Sequence, residues 1–223
     1  MILLDSVTKV FLSGRGEIRA LSDISFSIEA GRFTAVIGKS GSGKSTLLNC
    51  IGGLETPDKG NVSCFGTPIY SLSAWELSQF QRRNVGFVFQ RGNLLSYLTV
   101  AENIGFPLAL NRVERQKQSK RIDELLNRID LTSAAKALPY ELSSGEAQRV
   151  AMARAIAHNP KILLADEPTA NLDTETGKRV IQLMRDIGRD YGCTIIMATH
   201  DIEITALADT VIRLKDGSIL QGE

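Results

Sequence analysis

The chain has 223 residues, 43% apolar and 23% charged, which is ordinary for a globular domain and enough to bury one sizeable core. Basic and acidic side chains nearly cancel at a net charge of +1, so no broad positive field argues for nucleic acid as a partner. No stretch approaches the ~20 apolar residues of a membrane-spanning helix, and the N-terminus lacks the basic-then-apolar pattern of a signal peptide.

The opening MILLDSVTKVF reads as a first strand. Strand-like runs rich in β-branched residues follow at 24–28 and 32–37. Next comes Gly38-Lys39-Ser40-Gly41-Ser42-Gly43-Lys44-Ser45-Thr46, which fits G-x-x-x-x-G-K-[ST] between a strand at 33–37 and a helix at 44–51. Such glycines let successive backbone N–H groups turn around phosphate oxygens, and the helix points its positive end at them. Lys44 is expected to reach the β- and γ-phosphates of ATP, and the Ser45 hydroxyl to ligate Mg²⁺.

Further along, 85–89 reads as a strand, whereas 92–145 is poor in buried-strand runs. Within it, 112–129 patterns as a charged amphipathic helix with Ile122, Leu125, Leu126 and Ile129 on the apolar face. This predicts a helical lobe inserted between two halves of an α/β core. Leu142-Ser143-Ser144-Gly145-Glu146 leads into an Ala-rich helix at 146–157, and a small Ser/Gly segment at a helix start is another anion site.

Residues 162–165 form an apolar strand that ends in Asp166 and Glu167 before Pro168. Asp166 is placed to hold Mg²⁺ through water, and Glu167 to take a proton from an attacking water. A base beside a P-loop predicts hydrolysis rather than transfer to an acceptor. A helix is expected over 173–191, with Asp173 as cap, Val180, Ile181, Met184 and Ile187 on one stripe, and Gly192 as the stop. Strands at 194–198 and 209–214 complete an alternating α/β pattern, and Asp216-Gly217 between apolar runs signals a hairpin. Cys50, Cys64 and Cys193 are odd in number and scattered, which suits reduced thiols in a cytoplasmic protein.

With the signature-like 142–146 shortly before the acidic strand end, the chain resembles the ABC ATPase family along essentially its whole length. That family's signature is LSGGQ, or LSGGE in a related branch. Gln90 matches its Q-loop glutamine, Asn171-Leu172-Asp173 its D-loop, and His200 its switch histidine, while Phe11 lies where an aromatic ring packs against adenine. The resemblance implies a P-loop NTPase of the ABC ATPase type: a RecA-like core (about 1–91 and 146–223), an antiparallel β subdomain and a helical lobe (about 92–145). It also implies catalytic roles for Glu167, His200 and Gln90, and metal contacts from Ser45, Gln90 and Asp166. Nucleotide contacts are implied for Phe11, Gly38 to Thr46, Ser143, Ser144, Gly145, Glu146 and Asp173. Two subunits would meet head to tail as a homodimer around ATP, on the inner face of the cell membrane beneath a separate permease.

The chain departs from the family pattern at Ser144, which stands at the first glycine of the signature pair, and at Phe11, where tyrosine is commoner. The short chain, the run Phe87-Val88-Phe89-Gln90, Asn93-Leu94-Leu95 with Leu98-Thr99-Val100-Ala101-Glu102-Asn103, Glu146 and Asn171-Leu172-Asp173 resemble the group containing the macrolide exporter MacB, the lipoprotein-release ATPase LolD and the cell-division ATPase FtsE. An FtsE-like role, driving a membrane signalling partner without transport, stays open. Non-transport ABC proteins with long coiled coils or paired cassettes fit the chain less well.

Overall fold

The computed structural model describes residues 1–14, 16–90 and 92–220. In chain order the elements are β1 (Ile2–Ser13), β2 (Gly16–Ile28), β3 (Phe33–Ile37), α1 (Lys44–Ile51), β4 (Lys59–Cys64), β5 (Thr67–Pro68) and α2 (Ala74–Asn84). Then follow β6 (Val85–Val88), α3 (Val100–Leu110), α4 (Arg115–Arg128), α5 (Ser144–Ile156), β7 (Ile162–Asp166) and α6 (Thr174–Tyr191). The chain closes with β8 (Thr194–Thr199), α7 (Ile202–Thr205), β9 (Thr210–Lys215) and β10 (Ser218–Ile219). Two compact units emerge, residues 1–81 with 194–223, and residues 82–193.

In the first unit, β3 pairs in parallel with β8 on one side and β9 on the other. Parallel strands covered on both faces read as unbroken apolar runs. Phe33 to Val36 are buried accordingly, as is every residue of β8. The Asp216-Gly217 turn closes β9 onto β10 as the expected antiparallel hairpin. A separate antiparallel sheet has the order β2-β1-β4-β5, and Ile2, Leu4, Val7, Leu21, Ile24 and Val62 turn into its covered face. Helix α1 follows directly on β3 and buries Leu47, Leu48, Cys50 and Ile51. Burial pushes the Cys50 and Cys64 thiols up to about 12 and keeps them protonated.

The second unit has the parallel pair β6–β7, with α5 packed on β6 and both α3 and α6 against α5. Gly86 makes that packing possible, since a Cβ there would lie 2.2 Å from the Ala155 carbonyl oxygen. Helix α6 runs between the expected Asp173 cap and the left-handed Gly192, with Val180, Ile181, Met184 and Ile187 buried at helical spacing. Arg121 ties α4 to its neighbours. It donates to the Ala157 carbonyl at 3.1 Å and to Asn159 Oδ1 at 2.7 Å, and its guanidinium lies 4.5 Å over the Tyr191 ring.

One boundary and one element differ most from the sequence reading. The charged helix begins at Arg115, not at 112, because Arg112 adopts φ 56° and its N–H closes the end of α3 on the Ala109 carbonyl. Helix α3 itself is nearly apolar all round and contains Pro107, so it offers no amphipathic stripe to read. Its start is nevertheless a full capping box between Thr99 and Glu102.

Gly86→Ala is expected to destabilise the fold by about 1–3 kcal/mol, since β6 and α5 must separate to admit one methyl group. Urea denaturation at an unchanged m-value measures this, and a wild-type midpoint would show that the two elements part freely.

Candidate nucleotide site

The loop between β3 and α1 is built by backbone proximity. A Cβ on Gly38 would sit 2.3 Å from the Leu214 carbonyl oxygen, and one on Gly43, at φ +101°, 2.3 Å from that of Ala20. Both glycines are therefore required by the loop's own packing. Gly41, also left-handed at φ +80°, meets nothing within 4 Å and leaves the loop open on its outer side. Lys44 is buried to 5% exposure and donates to the Gly38 carbonyl at 2.8 Å and the Lys39 carbonyl at 3.2 Å, so its ammonium spans the loop.

Helix α1 starts without a side-chain cap and without an acidic residue in its first turn. The N–H groups of Lys44, Ser45 and Thr46 thus have no intrahelical acceptor, and Ser45 is exposed. A cleft of about 510 Å³ brings Lys39, Ser40 and Ser42 together with His200, which follows β8. Phe11 is not a core residue: it is 38% exposed on β1, with Lys9 Nζ 5.2 Å from the ring centroid.

The second unit carries the remaining candidates. Asp166 ends β7, and Glu167, next in the chain, is held at φ 44°. A left-handed glutamate is a strained placement of the kind that collects at functional positions. Gln90 sits exposed in the turn after β6. It shares a cleft of about 470 Å³ with Ser144, Gln148, Pro168 and Asn171.

Ser143 caps α5. Its hydroxyl accepts from the Glu146 N–H at 3.3 Å, while Glu146 Oε2 accepts from the Ser143 N–H at 2.8 Å and its hydroxyl at 2.6 Å. Glu146, singled out as a signature variant, is thereby the N3 residue of a capping box. These bonds hold its carboxylate below the usual range. Ser144 and Gly145 follow on the exposed helix start, in a second cleft of about 390 Å³ that also includes Asp173. Asp173 caps α6, with Oδ1 accepting from the Thr176 N–H at 3.0 Å.

Three polar side chains grip the Gln90 segment, a role that sequence reasoning foresaw for none of them, although Asn171 was already marked as part of the D-loop. Gln148 Nε2 donates to the Phe89 carbonyl at 3.1 Å, Asn171 Nδ2 to the Gln90 carbonyl at 3.2 Å, and Arg154 to those of Gly92 and Asn93, both at 2.9 Å. The one available signal was polar residues on the otherwise apolar, buried face of α5, where Gln148 is 4% exposed.

Among the described residues no helix is long and apolar enough to cross a membrane, and no cluster of three or more His, Cys, Asp or Glu side chains could hold a metal ion.

The family described as ABC transporter matches residues 21–170. An uncharacterised ABC transporter ATP-binding protein of Methanocaldococcus jannaschii is 41% identical over 99% of this chain and 98% of its own length. The methionine import ATP-binding protein MetN of Corynebacterium jeikeium is also 41% identical, over 99% of this chain and 60% of its own. Among solved structures, the cassette MJ0796, captured as a dimer bound to ADP and Pi, superposes with a TM-score of 0.92 at 39% identity, covering 100% of this chain and 98% of that one. The fold shared with it is the ABC ATPase cassette: an α/β core with an antiparallel β subdomain and a helical lobe.

Glu146→Ala is expected to cost about 0.3–1 kcal/mol through loss of the carboxylate half of the α5 capping box, the Ser143 hydroxyl still accepting from the backbone N–H at 146. Because the folded carboxylate titrates below its unfolded value near 4.5, its contribution is complete above that value and is lost as pH falls through the folded pKa. The stability gap between wild type and variant should therefore close in acid, as thermal midpoints from pH 7 to pH 3 would record; a constant gap would remove the carboxylate from the cap.

Proposed function

The chain belongs to the ABC transporter family as an ATPase that hydrolyses ATP to ADP and phosphate, and from that premise we propose that it closes as a homodimer around two MgATP to drive a separate membrane permease. The observation that carries this reading is the pairing of two kinds of helix start. One is uncapped and set behind a glycine loop with a spanning lysine. The other is exposed, glycine-bearing and capped only by its own Ser143 and Glu146. A dimeric cassette of the same fold, bound to ADP and Pi, supports the association.

In this mechanism the first-turn N–H groups of α1 and the Lys44 ammonium hold the β- and γ-phosphates. Phe11 offers a ring face to adenine, needing no hydroxyl for stacking. Glu167 takes the proton of the attacking water as general base, and His200 holds the γ-phosphate and orients that water. Ser143, Ser144 and Gly145 receive the triphosphate bound to the partner subunit, so ATP joins the two chains and hydrolysis releases them.

The oxygen donors at Ser45, Asp166 and Gln90 suit a hard cation that takes its other ligands from phosphate and water. Mg²⁺ there would neutralise charge developing on the γ-phosphoryl group. Asp166 would hold such an ion through water, and Ser45 and Gln90 would offer side-chain oxygens to it.

The permease is expected to place a short helix against the stretch after Gln90 within the helical lobe at about 92–145. Leu94, Leu95 and Leu98 are half-buried there, and Tyr97 stands 75% exposed. Buried Asn103 holds this stretch by donating to the Leu95, Leu98 and Thr99 carbonyls. Attachment of the chain to the inner face of the membrane follows from that contact. Phe87 to Gln90, Leu98 to Asn103, Glu146 and the Asn171 to Asp173 turn favour a permease of the MacB or LolD type. An FtsE-like signalling partner uses the same motifs, and co-purification from membranes distinguishes the two by naming the partner.

Lys44→Ala is expected to abolish turnover in a protein that still folds, with a melting point lowered by loss of the two loop bonds; normal hydrolysis would remove the P-loop assignment. Glu167→Gln should bind MgATP without hydrolysing it and accumulate as a dimer in size-exclusion chromatography. Wild-type turnover by this variant would refute Glu167 as base. An inactive variant that stays monomeric with MgATP at high concentration would count against the shared site.

A further inference from the structure

The backbone at Phe89, Gln90, Gly92 and Asn93 is held by side chains that come from far away in the sequence. Gly92 at φ +69° and Asn93 at φ 47° are consecutive left-handed residues. Arg154 binds both of their carbonyls through its two terminal nitrogens, each at 2.9 Å. Among the described residues these carbonyls are Arg154's partners, so a guanidinium charge is committed to two backbone dipoles. Burial there pulls its pKa below the ordinary value, a cost the fold bears without a carboxylate in return.

One helical turn and a half earlier on α5, Gln148 holds the Phe89 carbonyl at 3.1 Å. From the loop after Glu167, Asn171 holds the carbonyl of Gln90 itself at 3.2 Å. Every described carbonyl from Phe89 to Asn93 is thus gripped by α5 or by the Asn171 turn. Helix α5 has 13 residues, about 20 Å of rigid rod, and its first turn is the signature. The segment that carries Gln90 is fastened along the flank of that same rod.

We propose that Arg154, with Asn171, is a positioning residue for Gln90, locking the Gln90 segment to the signature helix so that the two move as one body. This rests on the role proposed above for Gln90 as an oxygen donor to Mg²⁺ at the nucleotide. A Gln90 drawn toward nucleotide in one subunit then carries its own α5, and with it the surface offered to the partner's nucleotide. Arginine suits the site because its planar fork presents a separate terminal nitrogen to each carbonyl in a fixed geometry, whereas a lysine ammonium is a single point on a flexible stem.

The test is a double-mutant cycle on the full chain. MgATP turnover is measured for wild type, Arg154→Gln, Gln90→Ala and the double variant, with melting curves alongside. Arg154→Gln is expected to lower kcat roughly ten- to hundredfold with KM changed less than about twofold, the pattern of a misplaced group rather than weakened binding. In the Gln90→Ala background the same substitution should cost nothing further, because the group it positions is gone. Arg154→Lys should recover only part of the rate.

An Arg154→Gln protein at wild-type kcat overturns the proposal, and so does an equal loss in both backgrounds, which marks a general structural effect. Should Arg154→Gln not fold, Asn171→Ala, an exposed substitution that removes the bond to the Gln90 carbonyl, takes its place in the cycle under the same criteria. Gln90→Ala turning over at the wild-type rate would bring down the role of Gln90 and this proposal with it. A slow Gln90→Ala with additive losses would bring down the proposal alone.

Discussion

A helix start leaves its first N–H groups without partners, and how each start in this chain settles that debt determines what it can do. Helices α5 and α6 settle it internally, with Ser143 and Glu146 on one and Asp173 on the other. Helix α1 does not. Gly43 has no side chain to fold back, and Lys44 turns its ammonium to the loop carbonyls rather than away from them. The result is a fixed cluster of donors and one cation with no carboxylate in the first turn, the arrangement a triphosphate requires. The glycines at 38 and 43 follow from the same need. They let the loop pack within reach of the Leu214 and Ala20 carbonyls, so the donors are held in place before any phosphate arrives.

Helix α5 organises the second unit in a comparable way. Its buried flank of Val150, Ala151, Met152, Ala153 and Ile156 fills the core, while Gln148 and Arg154 on its edge fix the backbone after β6. The neighbouring backbone comes close to this helix: the Ala155 carbonyl lies against Gly86, and the Ala147 carbonyl and the Ala151 Cβ lie 3.5 Å from where a Gly92 side chain would begin. Stability and placement of the Gln90 turn therefore depend on one element. Core packing and functional geometry are not separable there, and a substitution that loosens α5 disturbs both.

The sequence was most legible where a rule is local. Helix α1 occupies residues 44–51 and α6 ends at Gly192, because caps, glycine stops and the strand–loop–helix motif act over a few neighbours. Strands β3, β7 and β8 declared themselves as unbroken apolar runs. Helix α3 escaped since its apolar residues lie all round and Pro107 argues against a helix. Helix α2 buries no residue, so no stripe announces it. At the site, the P-loop and the acidic strand end are contiguous motifs and were readable. The hold on the Gln90 segment was not, because Arg154 and Asn93 are 61 residues apart and nothing local to either signals the contact.

The departure at Ser144 falls where the fold permits it. At the signature's remaining glycine, Gly145, a Cβ would lie 2.7 Å from Thr176 Cγ2 and 4.0 Å from Leu172 Cδ2, so a side chain there would have to displace the Thr176 methyl group. Ser144, one position earlier, is exposed and lines the cleft at the helix start. Of the two signature glycines, one thus sits against a neighbouring side chain of its own chain and the other borders the cleft. A serine at the second kind of position keeps the backbone N–H and adds a hydroxyl donor, whereas a side chain at the first must be accommodated by a shift of Thr176. That asymmetry accounts for a variant signature in an otherwise unbroken set of motifs. It also means that a substitution at Gly145 perturbs the fold as well as the anion site, and Ser144 is the position at which the two effects separate.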